Sequence, residues 1–139
     1  MLRFEKAIAN DANNLAKVSK RAFDNDIHYG ARVEGGPPGY DSPEGQIFMM
    51  DHFMYYKMML EDTIIGGFMI ADKWDGHYEL VRIFIEPNFQ NMGFGIKTLE
   101  FIWRTYKRQV IYCRMCIKVG RLCSRRCYDG SLSPDLSRG

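Results

Sequence analysis

The run HYELVRIFIEPNFQNMGFGI, residues 77–96, decides how the rest of the chain is read. Its first ten residues, His77 to Glu86, form the most apolar stretch of the sequence, with hydrophobic side chains for both faces of a strand. Pro87 and Asn88 end that strand, because proline offers no N–H to a ladder. A helix opens at Gly93 and runs to Tyr106, with Ile96, Leu99, Ile102, Trp103 and Tyr106 spaced to lie on one side. A strand that feeds a helix through a short glycine-containing turn is an anion cradle. The first N–H groups of the helix have no internal partner, and the dipole adds partial positive charge there. Gly93 and Gly95 would let a phosphate approach the backbone and allow φ values that other residues resist. Tight packing of helix on strand would use the same glycines. The Walker phosphate loop is excluded, since no Gly-Lys-Ser/Thr ending is present. The dinucleotide fingerprint needs a third glycine where Thr98 stands.

Upstream, residues 2–9 alternate as a strand, and Asn10-Asp11 offers a cap to a helix carrying Ala12, Leu15, Val18, Ala22 and Phe23 at helical spacing. Residues 24–45 are rich in Gly, Pro and Asp, and a loop of that length in a small domain is commonly a lid or substrate wall. A short helix at 43–52 leads to strands at 53–60 and 63–72, separated by the Glu61-Asp62 turn. Gly66-Gly67 inside the second of these predicts a bulge or a close backbone approach. Residues 73–76, ending in Asp-Gly, turn the chain into the strand at 77–86. Residues 109–119 alternate loosely, which is consistent with a further strand. This order predicts an α/β domain with a mixed sheet flanked by helices.

At 139 residues with 46% hydrophobic and 26% charged side chains, the chain fits one domain, and disordered, collagen-like or coiled-coil readings fall away. Charged residues among the first six positions argue against a signal peptide, and no apolar run is long enough to span a bilayer. A soluble cytoplasmic protein is the expectation. The net charge of +2 conceals a division. Residues 1–103 carry ten basic and fifteen acidic side chains, whereas residues 104–139 carry nine and two, together with all four cysteines.

The segment Gln90-Asn91-Met92-Gly93-Phe94-Gly95 matches every fixed position of the Gln/Arg-x-x-Gly-x-Gly/Ala pattern, and over about residues 1–106 the chain resembles the Gcn5-related N-acetyltransferase (GNAT) family. The strand ending in Ile85-Glu86-Pro87, the helix with Leu99 and Phe101, and the element order agree with that resemblance. It implies acetyl-CoA as co-substrate and no metal. The pyrophosphate would lie on backbone amides of Asn91, Met92, Gly93, Phe94, Gly95 and Ile96, with Gln90 shaping the turn. The pantetheine arm and acetyl carbonyl would follow the main chain of Phe84 and Ile85. Glu79 stands eleven residues before Gln90, where some members place the general base that relieves an ammonium of its proton. Simple alternation puts Glu79 on a face with Val81, Ile83 and Ile85, unless it points to solvent at the strand edge. Arg82 would then lie on the opposite face as an ion-pair partner.

Beyond residue 106 the resemblance ends. The family's Tyr that protonates the leaving thiolate has no recognisable setting, and Tyr112 and Tyr128 qualify by residue type alone. The acyl-binding half is therefore expected to be incomplete, with residues 107–139 a possible extra strand plus a basic irregular tail. An altered reading frame across codons 104–139 is one origin for such a tail. A sheet edge left open by it would favour a homodimer. Cys113, Cys116, Cys123 and Cys127 are four thiols, but six residues between the pairs is short for a zinc ribbon, and reduced scattered thiols fit better. Arg121, Arg125 and Arg126 beside Tyr128 could hold polyanions without specificity, yet no nucleic-acid motif accompanies them. The expected function is acetyl transfer to a primary amine of a small molecule or peptide. An inactive CoA-binding or regulatory domain of the same fold is the alternative.

Overall fold

The computed structural model describes residues 1–25, 35–74, 77–106 and 111–113. Its elements are β1 (Leu2–Lys6), α1 (Ala12–Asp24), α2 (Pro43–His52), β2 (Met54–Leu60), β3 (Thr63–Trp74), β4 (His77–Ile85), α3 (Phe94–Thr105) and β5 (Ile111–Cys113). The sheet runs β1-β2-β3-β4-β5. Its first four strands are antiparallel neighbours, and β5 lies parallel to β4 after the α3 crossover. The expected mixed sheet flanked by helices is what forms. Among the described residues no helix is long and apolar enough to cross a membrane.

The helices follow their apolar spacing, with two corrections. The apolar residues expected to anchor α1 are all buried. Its cap differs from the sequence expectation. Asp11 accepts a hydrogen bond from the Ile8 backbone N–H at 2.9 Å, and its carboxylate also takes the Lys57 ammonium of β2 at 2.9 Å. The residue that looks like a cap therefore ties α1 to the sheet. In α3 the buried line is Gly95, Thr98, Leu99 and Ile102, and Ile96 is 54% exposed. Thr98 can turn inward because its hydroxyl donates to the Phe94 carbonyl at 2.8 Å, which satisfies it within the helix. α2 begins at Pro43, and the Ser42 hydroxyl accepts from the Gly45 N–H at 3.0 Å.

Each face of the sheet has its own core. Phe68, Ile70, Leu80, Ile83 and Ile85 pack with Leu99 and Ile102 of α3. Tyr55, Met69 and Phe84 pack with Leu15, Val18, Ala22 and Phe23 of α1 on the other side. Two bulges set which side chains reach which core. Met58 faces Gly66 while Met59 faces Ile64, leaving Ile65 as the extra residue of β3. Met69 faces Arg82 while Ile70 faces Leu80, leaving Val81 as the extra residue of β4. The expectation from Gly66-Gly67 holds in both its forms. Besides the adjacent bulge, a Cβ on Gly66 would sit 2.3 Å from the Phe84 carbonyl oxygen, and one on Gly67 would sit 2.8 Å from the Phe84 ring.

Candidate functional site

β4 leaves the sheet at Ile85, makes a single tight helical turn over Pro87–Phe89, and enters α3 through Gln90 to Gly93. Three contacts hold this turn. The Glu86 N–H donates to the Ile65 carbonyl at 2.7 Å, extending the β3–β4 pairing by one step. The Glu86 carboxylate receives the Arg21 guanidinium of α1 through both its oxygens, at 2.7 Å for each of two nitrogens. The Gln90 side-chain amide donates to the Ile85 carbonyl at 2.8 Å, closing the turn on the end of the strand. That carbonyl keeps a second lone pair.

The turn then reverses through two left-handed residues, Asn91 at φ 63° and Gly93 at φ 85°. Gly93 is needed for its conformation and not for space, since a Cβ there would meet nothing within 4 Å. Gly95 differs. It is buried within the first turn of α3 and adopts no positive φ, so of the two glycines only Gly93 carries the conformational role. Among the described residues no side chain caps α3. Its first intrahelical bond of this turn is Lys97 N–H to the Gly93 carbonyl at 3.1 Å, so the N–H groups of Phe94, Gly95 and Ile96 point out of the helix start. Asn91, Met92, Gly93 and Ile96 are exposed around them. An open, uncapped helix start with the dipole behind it suits an anionic group.

The extra residue Val81 changes the faces of β4. Leu80, Ile83 and Ile85 turn toward α3, while Val81 and Phe84 pack on the α1 side. Glu79, in register with Ala71, and Arg82, in register with Met69, share that α1 side. Glu79 therefore does not share its face with Ile83 and Ile85, nor does it point to solvent. It is 4% exposed, with the Lys73 ammonium 3.2 Å from its carboxylate. Arg82 is not opposite Glu79 and enters none of the ion pairs among the described residues. It is 5% exposed and donates to the Pro38 carbonyl at 3.0 Å. Around it, the Tyr55 hydroxyl donates to the buried Gln46 side chain, whose amide donates to the Tyr40 carbonyl at 2.9 Å. Burial pushes the Tyr55 phenol well above its ordinary value, so it stays neutral.

The structure thus brings Gln90 to Ile96 together at one end of β4, next to Phe84 and Ile85, with Glu79 further back along the same strand. Among the described residues β5 pairs only with Tyr78, Glu79 and Leu80, so residues 81–85 border no described strand on that side. Arg21, Glu86 and the pair Tyr55–Gln46 are not singled out by sequence reading. They are joined only through the tertiary fold, and no spacing along the chain signals them. Tyr128, Cys116, Cys123, Cys127 and the arginines of the tail lie outside the described residues, as do the side chains of Tyr112 and Cys113.

A model of the acetyltransferase (GNAT) family matches residues 22–128. Solved structures of similar fold include a GNAT-family acetyltransferase from Staphylococcus aureus Mu50, with a TM-score of 0.64 and 14% identity over 85% of this chain and 76% of that one. The PaiA N-acetyltransferase from Thermoplasma acidophilum, solved in complex with coenzyme A, has a TM-score of 0.63 and 14% identity over 78% of this chain and 73% of that one. An acetyltransferase from Thermus thermophilus gives 0.62 and 15% over 81% and 75%. No curated protein sequence matches significantly.

Proposed function

The chain belongs to the GNAT acetyltransferase family and has its fold, and on that premise we propose that it is an N-acetyltransferase moving an acetyl group from acetyl-CoA to a primary amine. The observation that carries this reading is the turn before α3, open, uncapped, left-handed at Gly93 and braced by Gln90 on the end of β4. In this reading residues 1–106 form the acyl-CoA-binding body. The N–H groups of Phe94, Gly95 and Ile96, with the exposed backbone of Asn91 to Gly93, hold the pyrophosphate. Phe84 and Ile85 guide the pantetheine arm along the edge of β4. Acetyl-CoA supplies the acetyl group as a thioester.

Glu79 is the base. An amine that reaches it as an ammonium has no lone pair to donate, and the buried carboxylate takes the proton so that nitrogen can attack the thioester carbon. The new N–C bond forms as the C–S bond breaks, and the thiolate leaves to be protonated. Lys73 beside Glu79 keeps the carboxylate oriented.

Thermal unfolding with acetyl-CoA, beside desulfo-CoA and ADP, tests the cradle. Ligand at about 100 times its Kd should add about 2.7 kcal/mol, visible as a raised Tm. An unchanged Tm with a folded sample would remove the reading. A raised Tm without acetyl transfer to any amine would instead favour an inactive CoA-binding domain.

A further inference from the structure

Among the described residues, Arg82 is a charge buried without an anion. A guanidinium does not neutralise inside a protein, so its burial is costly unless other groups compensate. One terminal nitrogen donates to the neutral carbonyl of Pro38. The other is buried and has no hydrogen-bond partner among the described residues. Burial works against its charge and holds its pKa below the usual guanidinium value. Glu79 on the same face is paired with Lys73, and the described groups that interact with Arg82 are Tyr55, neutral and already bonded to Gln46, and the carbonyl of Pro38. Neither supplies a negative charge.

The position of this cation fits a substrate. Glu79 and Arg82 stand two register steps apart along β3, opposite Ala71 and Met69, so their backbones lie about 7 Å apart on one face of the sheet. Glu79, which holds the Lys73 ammonium at 3.2 Å, and Arg82 put an anion and a cation on one face, an arrangement that suits a molecule bearing both an ammonium and a carboxylate. Pro38 lies in the segment that leads into α2, so the group facing the guanidinium belongs to a surface connection and not to the sheet. A carboxylate entering beside it would meet the unused nitrogen with a charge-assisted bond, in place of an unmet donor.

We propose that Arg82 anchors a carboxylate of the acceptor, making the acceptor amino-acid-like, with its amine directed to Glu79. This rests on the acetyl-transfer reading for the amine's fate, but not for its binding. The test uses the intact chain saturated with CoA, titrated with α- and ω-amino acids, each beside its carboxamide. At least one acid should bind tenfold or more tightly than its amide, and should show the same preference in kcat/KM when acetyl-CoA is supplied. In Arg82→Gln the acid-to-amide ratio should fall to near one whatever the absolute rate, and Arg82→Lys should keep part of it. The acetyl-CoA-induced rise in Tm should persist in both variants, which separates a lost anchor from a lost fold. Equal use of acids and amides overturns the proposal and leaves acetyl transfer standing. Carboxylate-dependent binding without turnover upholds the anchor and removes the transfer. A ratio that survives in Arg82→Gln, or the absence of any carboxylate-dependent binding, overturns it outright.

Discussion

Val81 is the residue that makes Glu79 and Arg82 neighbours. Without it, plain alternation would send one of them toward α3, and the two would not share a face. Replacing Glu79 with Gln keeps the shape and removes the proton acceptor. We expect kcat for acetyl transfer to fall about 100-fold or more, with the acetyl-CoA-induced Tm shift intact. Equal kcat in Glu79→Gln would assign the base elsewhere. Gly66→Ala puts a methyl group 2.3 Å from the Phe84 carbonyl, where only backbone can yield. It should cost about 2 kcal/mol or more in urea unfolding, as overpacking against an inflexible neighbour does. The glycine pair is visible in the sequence as a bulge signal. The second bulge, at Val81, carries no glycine and leaves no mark, which is why simple alternation assigns the faces of β4 wrongly.

At the scale of elements, the bounds of α2 are legible because Ser42 and Pro43 are strong start signals whose chemistry is local. Ser42→Ala should lower stability by about 1 kcal/mol, measurable as a lower urea midpoint with unchanged slope. The start of α1 is where Asn10-Asp11 signals it, but the bonding of Asp11 escapes local reading because its carboxylate takes the Ile8 N–H and Lys57, on a strand 46 residues away, and not an N–H of the helix. The buried stripe of α3 differs from the expected one, since hydrophobic spacing treats Thr98 as polar although its hydroxyl bonds back to Phe94. The turn before α3 is legible, and its brace is testable. Gln90→Ala removes a hydrogen bond of about 1 kcal/mol. Stability without ligand should fall by about that amount, and acetyl-CoA binding should weaken as well because the turn it rests on loses its brace. An unchanged acetyl-CoA affinity beside the lowered Tm would make Gln90 a stability residue only.

For the whole molecule, polar pairs fasten the helical layer to the sheet. Arg21 joins α1 to Glu86 at the end of β4, and Asp24 accepts from Tyr40 at 2.6 Å, tying the end of α1 to the segment before α2. Hydrogen bonds from Lys20 and Tyr40 hold the Asp24 carboxyl below its ordinary value of 3.8. A depressed carboxyl stabilises the fold above its unfolded pKa, and that contribution is lost as pH falls through the folded value. Tm should therefore decline below about pH 4, and Asp24→Asn should remove part of that decline while lowering Tm at neutral pH. An acid limb identical in the variant would show that Asp24 is not coupled to folding.

The sequence by itself determined the element order, the antiparallel meander, the Gly93 turn and hence the family, because these rest on local periodicity, proline and glycine geometry, and an unbroken motif. Only the tertiary structure decided which face of β4 holds Glu79, that Arg82 is buried on that same face with no ion pair among the described residues, and that Arg21 and Gln90 brace the turn. Those features depend on a one-residue shift in strand register and on partners far apart in the chain. Register is fixed by packing of both sheet faces at once, and no single stretch of sequence contains that information.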